Sequence, residues 1–239
     1  MVLIVAAFSS CKSITQTGTA MEKNTKTISL KKGQRFLLIS SILKKGKEKL
    51  LKNYFEMVFP VASKYGFKPL LRLSIDEIVA GNYKPNTFVG LYSWPKASSE
   101  VDFRKEKSMA NIDEKRKKIW TELQQIKFDL SKDIEITFRK GKVYQVASIW
   151  IKKEGIKDLK KYLSATKTTI EKLGGRTVFK QKVNDFATLS DGTPPSLVAI
   201  LEWPSVEARK AYLNSKIFTE NIKYFKSGIT NFQAMLTSM

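Results

Sequence analysis

The residues of this chain that could do chemistry are few, and histidine is absent from all 239. That removes histidine-ligated haem and zinc, Ser-His-Asp and Cys-His catalysis, and any imidazole acid or base near neutral pH. The single cysteine, Cys11, rules out an internal disulfide and a Cys-x-x-Cys metal site. What remains is aromatic and cationic. Tyr92, Trp94, Tyr144, Trp150 and Trp203 stand in apolar stretches that read as sheet strands, where their rings would shape a pocket for a flat or apolar molecule. Arg72 and Glu202 are the polar groups beside them. These seven are the candidate ligand-binding residues, and no catalytic group, metal ligand set or cofactor signature joins them. The ordinary alternative is core packing for the aromatics and a solvated strand face for Arg72 and Glu202. Asp76 and Glu77 are adjacent and point to opposite faces, which argues against a paired carboxylate centre. Asp185 has no partner that spacing reveals.

The elements that must position these residues are duplicated. Phe88 to Trp94 followed by Pro95 is matched 109 positions later by Leu197 to Trp203 followed by Pro204. Proline cannot donate to a ladder and biases the preceding residue towards extended backbone, so each copy reads as a strand that stops at Trp-Pro and hands over to a helix. Further pairs agree in offset: Leu51 with Leu159, Tyr54 with Tyr162, Gly66 with Gly174 and Phe103 with Tyr212.

In the first copy, residues 36–43 are apolar on both parities, which suits a strand covered on both faces. A helix from Glu48 to Tyr65 follows, with Pro60 inside it and Gly66 as its stop. A strand from about Lys68 to Val79, the turn 80–86 and the Trp94 strand come next. Helix then resumes near Ser98 to Lys107, and again from Asp113 to about Lys127, with Ile134, Ile136 and Phe138 alternating as the closing strand. Residues around Lys107 to Arg116 read as extra. The second copy is a strand from Val143 to Ile151, a helix from Ile156 to Leu173, and a strand from Arg176 to Leu189. The Trp203 strand, a helix from Val206 to about Phe225 and a closing strand from Ile229 to Leu236 complete it.

Strand-helix-strand-strand-helix-strand is the ferredoxin-like unit, whose sheet carries helices on one face only. Two such sheets facing each other give the expected fold class: α+β, two ferredoxin-like repeats forming an intrachain α+β barrel. The second copy, with Leu173-Gly174-Gly175 at its helix end and Leu201-Glu202-Trp203-Pro204 at its strand exit, resembles the NIPSNAP-like, small stress-responsive and domain-of-unknown-function families of the dimeric α+β barrel superfamily. The resemblance implies this fold and spans about Phe36 to Leu236. For activity it implies a range, from cofactor-free monooxygenases and isomerases to haem enzymes, of which those that depend on an axial histidine do not fit this chain.

The balance of 43 Lys+Arg against 22 Asp+Glu is nearly all lysine, with seven arginines spread singly along the chain, so a nucleic-acid partner is not expected. Val2 to Phe8, then Ser9-Ser10-Cys11, resembles the end of a bacterial lipoprotein signal, although Phe8 stands where leucine is usual. That resemblance implies lipidation of Cys11, a membrane anchor and a place in the cell envelope; the alternative is cytoplasmic. Residues 12–32 are polar and read as a disordered tether. The domains are therefore 1–32 signal and tether, 33–140 first repeat and 141–239 second repeat. The expected function is binding of a small apolar or aromatic ligand in the barrel, or service as an interaction module; the alternative is a cofactor-independent monooxygenase or isomerase. An internal pseudo-dimer has no obligatory second chain, so monomer and higher oligomer both stay open.

Overall fold

A computed structural model of the chain describes residues 24–85 and 88–239. The first repeat runs β2 (Arg35–Leu43), α1 (Glu48–Lys64), β3 (Lys68–Ala80), β4 (Phe88–Trp94), α2 (Ala97–Lys105), a 3-10 turn (Lys107–Met109), α3 (Ile112–Ile119) and β5 (Trp120–Asp129). The second runs β7 (Val143–Ile151), α4 (Ile156–Lys172), β8 (Arg176–Lys182), β9 (Asp185–Ala187), β10 (Leu197–Trp203), α5 (Val206–Leu213), α6 (Lys216–Gly228) and β11 (Ile229–Ser238). Two further strands, β1 (Thr25–Leu30) and β6 (Ile134–Arg139), pair with each other as an antiparallel ribbon.

Within each repeat the sheet order is ferredoxin-like: β3-β4-β2-β5 in the first and β8-β10-β7-β11 in the second. β11 pairs with β3, and β9 pairs with β5, so each repeat joins the other at both edges. The handover lies at Val183 and Asn184: the Val183 amide donates to Ser196 O, beside β10, while the Asn184 amide donates to Lys127 O on β5. One bent strand thus links the two ends of the sheet into a barrel.

Strands buried on both faces explain the apolar runs of mixed parity. Even-numbered Phe36, Leu38, Ile126 and Phe128 point into the barrel, whereas Leu37 and Leu123 face the helices. Within the barrel core Phe179 meets Phe36 and Phe128 edge to face, at 5.2 and 5.0 Å, and Phe36 and Phe128 lie tilted to each other at 5.9 Å. Ile28, Leu30, Ile136 and Phe138 of the ribbon pack onto the same core. The barrel is filled from both repeats and from the ribbon.

Two motifs singled out by the duplication touch in space. Gly66 and Gly174 end α1 and α4 at positive φ (80° and 76°), and a Cβ on either would stand 2.4 or 2.6 Å from Cγ of Pro95 or Pro204. The glycine both permits the left-handed stop and lets the Trp-Pro exit lie against it.

Several expectations need correction. The closing strand of the first repeat is β5, and the helix ends at Ile119; Leu123 and Ile126 mimic helical spacing because this strand is covered on both faces. β5 and β11 correspond at the offset of 109, as do 107–119 and α6, so residues 107–116 are no insertion. Ile134, Ile136 and Phe138 belong to the ribbon instead. The stretch 176–189 is broken into β8 and β9. The polar tether is structured at its end, where Ile28 and Leu30 alternate inward at 3% exposure. Its earlier part, together with Cys11, lies outside the described residues.

Candidate functional site

A space opens between the outer face of the first repeat's sheet and its helices, outside the barrel core. In the second repeat the helices close tightly because two glycines meet. A Cβ on Gly155 would stand 2.3 Å from Gly228 O, so α4 and α6 touch backbone to backbone. The first repeat has Lys47 and Ile119 at those positions, and α1 makes only sparse contact with α2 and α3. Side chains of this size hold the layers apart, and a cavity of about 270 Å³ results.

Nine of the residues lining it are aromatic. They form a continuous wall: Trp120 against Tyr54 (5.0 Å), Phe55 stacked on Phe59 (5.0 Å, 11°), and Phe67 stacked on Tyr92 (5.2 Å, 14°) and tilted against Trp94 (4.7 Å). The equivalent places in the second repeat read Ile229, Tyr162, Leu163, Lys167, Gly175, Leu201 and Trp203. There Phe225 packs on Tyr162 at 5.0 Å, where the first repeat has Arg116.

Polar groups enter at defined points. Three of the seven arginines, Arg72, Arg104 and Arg116, line this one cavity although they are far apart in sequence. Arg116 Nε donates to Tyr54 Oη at 2.8 Å, and Arg104 and Arg116 share Asp113. Burial acts to raise the Asp113 carboxyl, but the two guanidiniums outweigh it and hold it below its usual value. Glu100, at the cavity wall, is tied to Arg35 at 2.9 Å and Lys127 at 2.7 Å. Lys127 also reaches Asp185 on β9 at 3.1 Å, so this network clasps the two repeats together. Asp185 therefore has partners, and Lys127 and Arg35 overcome its burial to lower its pKa.

Arg72 is different. Its guanidinium lies 3.7 Å from the centre of the Phe88 ring, and no carboxylate pairs with it among the described residues. On the ladder it sits opposite Gly90, and the Tyr92 ring lies where a Gly90 side chain would be: a Cβ there would meet Tyr92 Oη at 2.5 Å. The Tyr92 hydroxyl has no hydrogen-bond partner among the described residues. Burial raises its pKa, and the nearby Arg72 charge opposes that.

Of the residues read from sequence, Arg72, Tyr92 and Trp94 line the cavity together. The other four lie elsewhere. Tyr144 is fully buried in the barrel and donates to Glu202 Oε2 at 2.8 Å. Glu202 is gripped by Arg139 and Arg176 (3.0 and 2.8 Å), which with Tyr144 overcome its burial and lower its pKa. Trp203 is packed on Tyr212, and Trp150 Nε1 donates to Thr193 O. Phe55, Phe59, Phe67, Phe88, Trp120, Gly90 and the two other arginines were not singled out. A position-by-position contrast of the two repeats carries the signal for them, since most are replaced in the second copy.

One family profile applies to part of the chain. Residues 142–237 match the domain of unknown function DUF1330. The DUF1330 match covers the second repeat, the copy without the cavity. Among curated proteins none matches the sequence. Among solved structures, an anthrone oxidase-like protein is similar in fold, with a TM-score of 0.53 and 13% identity over 89% of this chain and 95% of its own. A proposed monooxygenase from Fusobacterium nucleatum gives a TM-score of 0.49 and 15% identity over 87% and 92%. A dimeric ferredoxin-like protein of unknown function from Bacteroides fragilis covers 42% of this chain with all of its own length, at a TM-score of 0.29 and 13% identity. The chain is an α+β protein of two ferredoxin-like repeats.

Proposed function

We propose that the chain is a small-molecule-binding protein that takes one flat, largely apolar ligand in the cavity of its first repeat. The observation that carries this is the aromatic cavity itself, about 270 Å³, bounded by the sheet on one side and α1 on the other. Such a space suits a fused two-ring compound, and dispersion against stacked rings supplies its affinity. Trp94 and Trp120 both line it, so occupancy is read from tryptophan fluorescence. Titration with two-ring aromatics should quench the emission saturably, and Ser41→Phe, which fills the cavity from β2, should abolish the effect while the fold persists. Unchanged quenching in Ser41→Phe would refute the assignment.

A second reading, cofactor-independent oxygenation, draws on Arg72, whose charge would stabilise a substrate phenolate or enolate, and on the fold likeness to the anthrone oxidase-like protein. An anthrone methylene would be oxidised to the quinone carbonyl, with one atom of dioxygen retained there and the other leaving as water. Oxygen uptake with an anthrone, lost in Arg72→Gln, is the test. The apolar run ending at Cys11 supports an envelope location for the ligand-binding domain. The intact mass of protein extracted from membranes decides that.

A further inference from the structure

The cavity is mostly apolar, yet two of its unengaged polar groups, Arg72 and Tyr92, stand side by side. Arg72 and Gly90 are cross-strand neighbours, whose Cβ positions lie about 5 Å apart in such a pair. The Tyr92 hydroxyl folds back to within 2.5 Å of the Gly90 Cβ position. A guanidinium and a phenol hydroxyl therefore share one end of the cavity, each with donors that no protein group uses among the described residues. The other cations are committed: Arg104 and Arg116 to Asp113, Arg35 and Lys127 to Glu100 and its neighbours. Phe88 occupies one face of the Arg72 guanidinium at 3.7 Å, and a stacked guanidinium keeps its N–H fork for a planar acceptor.

We propose that the ligand of this cavity is an aromatic monocarboxylate, its rings between α1 and the sheet and its carboxylate held by Arg72 and Tyr92. This rests on the binding reading above and narrows it. One guanidinium and one hydroxyl balance a single negative charge, which fits a carboxylate better than a phosphate dianion. Arg72 is exposed at the cavity mouth, so the anion keeps part of its hydration and only the rings are desolvated. The second repeat has no counterpart: Lys180 and Leu201 stand where Arg72 and Tyr92 are, and Ala199 replaces Gly90.

The test compares 2-naphthoate with its neutral isostere 2-naphthamide by tryptophan quenching of the full-length chain. The carboxylate should bind at least about tenfold tighter. Arg72→Gln should erase that preference, weakening naphthoate by about ten- to a hundredfold and leaving the amide unchanged; Tyr92→Phe should cause a smaller loss of the same kind. Arg209→Gln, in the second repeat, removes the same charge far from the cavity and should change neither affinity, which separates a local contact from the general attraction of a +21 protein. Equal binding of acid and amide would overturn the carboxylate inference and leave the cavity reading standing. Binding of neither would overturn both, and equal weakening of both ligands by Arg72→Gln would reduce Arg72 to a packing role.

Discussion

Gly90→Ala should separate ligand binding from folding. Gly90 has an ordinary φ, so alanine brings no backbone strain, and the second repeat carries alanine there already, at Ala199. The obstacle is Tyr92: the added methyl would lie 2.4 Å from its Cε2 and 2.5 Å from its Oη. Ordinary carbon contacts are about 3.5–4.0 Å, so the ring must withdraw by about 1 Å. That displacement weakens its stack on Phe67, worth about 0.5–1.5 kcal/mol. Replacing glycine inside a strand returns about 0.5–1 kcal/mol. The two nearly cancel, so Tm should stay within about 4 °C of the parent. A shift of about 1 Å, however, exceeds the tolerance of a hydrogen bond, and naphthoate should bind about tenfold more weakly. Calorimetry and fluorescence titration measure the two quantities. Parent affinity in Gly90→Ala would refute the argument, because it would show that Tyr92 does not need its place over Gly90. Adding Tyr92→Leu, which reproduces the second repeat's Ala-x-Leu, should relieve the crowding without restoring affinity.

Three further outcomes follow from the geometry. Glu100→Ala takes one carboxylate from Arg35 and Lys127, whose side chains are only 10% and 9% exposed but which keep Asp129 and Asp185, and should cost about 1–3 kcal/mol in a urea titration. Gly66→Ala meets both a φ of +80° and Pro95 Cγ at 2.4 Å; it should lose more than about 1 kcal/mol, and Pro95→Ala in the same chain should recover the steric part but not the backbone part. Glu202, Asp113 and Asp185 all have lowered pKa values in the fold, so their stabilisation is complete above the unfolded values, about 4, and is lost as pH falls through the folded ones. Tm should drop steeply below about pH 4, and Glu202→Gln should be less stable at neutral pH but show a shallower acid loss.

The duplication was legible because Trp-Pro and the helix-stop glycine recur at nearly constant offset, and the structure shows why both recur: glycine and proline pack on each other. The placement of β5 was not legible. Leu123 and Ile126 lie on opposite faces of one strand, and burial on both sides erases the alternation that marks a strand. Arg72, Tyr92 and Trp94 could be picked out as aromatic or charged residues on strands, but Tyr144 and Glu202 satisfy the same criterion while binding each other. Sequence spacing does not say which face of a closed sheet is filled. Nor does it show that three solitary arginines converge, since α2, α3 and β3 bring them together only in the folded chain.

The difference between the repeats has a physical direction. Closing helices onto a sheet needs small residues where backbones meet, and Gly155 with Gly228 does this in the second copy; Lys47 and Ile119 prevent it in the first. A gap held open that way would be an unstable void unless its walls were stiff. Stacked Phe55, Phe59, Phe67 and Tyr92 supply stiffness, because aromatic rings have few rotamers and brace one another. The filled copy braces the open one through the Glu100–Lys127–Asp185 clasp and the β11–β3 ladder. The barrel core can therefore be shared by both halves while the first half gives up helix packing, which is how a single chain keeps a stable scaffold around an open cavity.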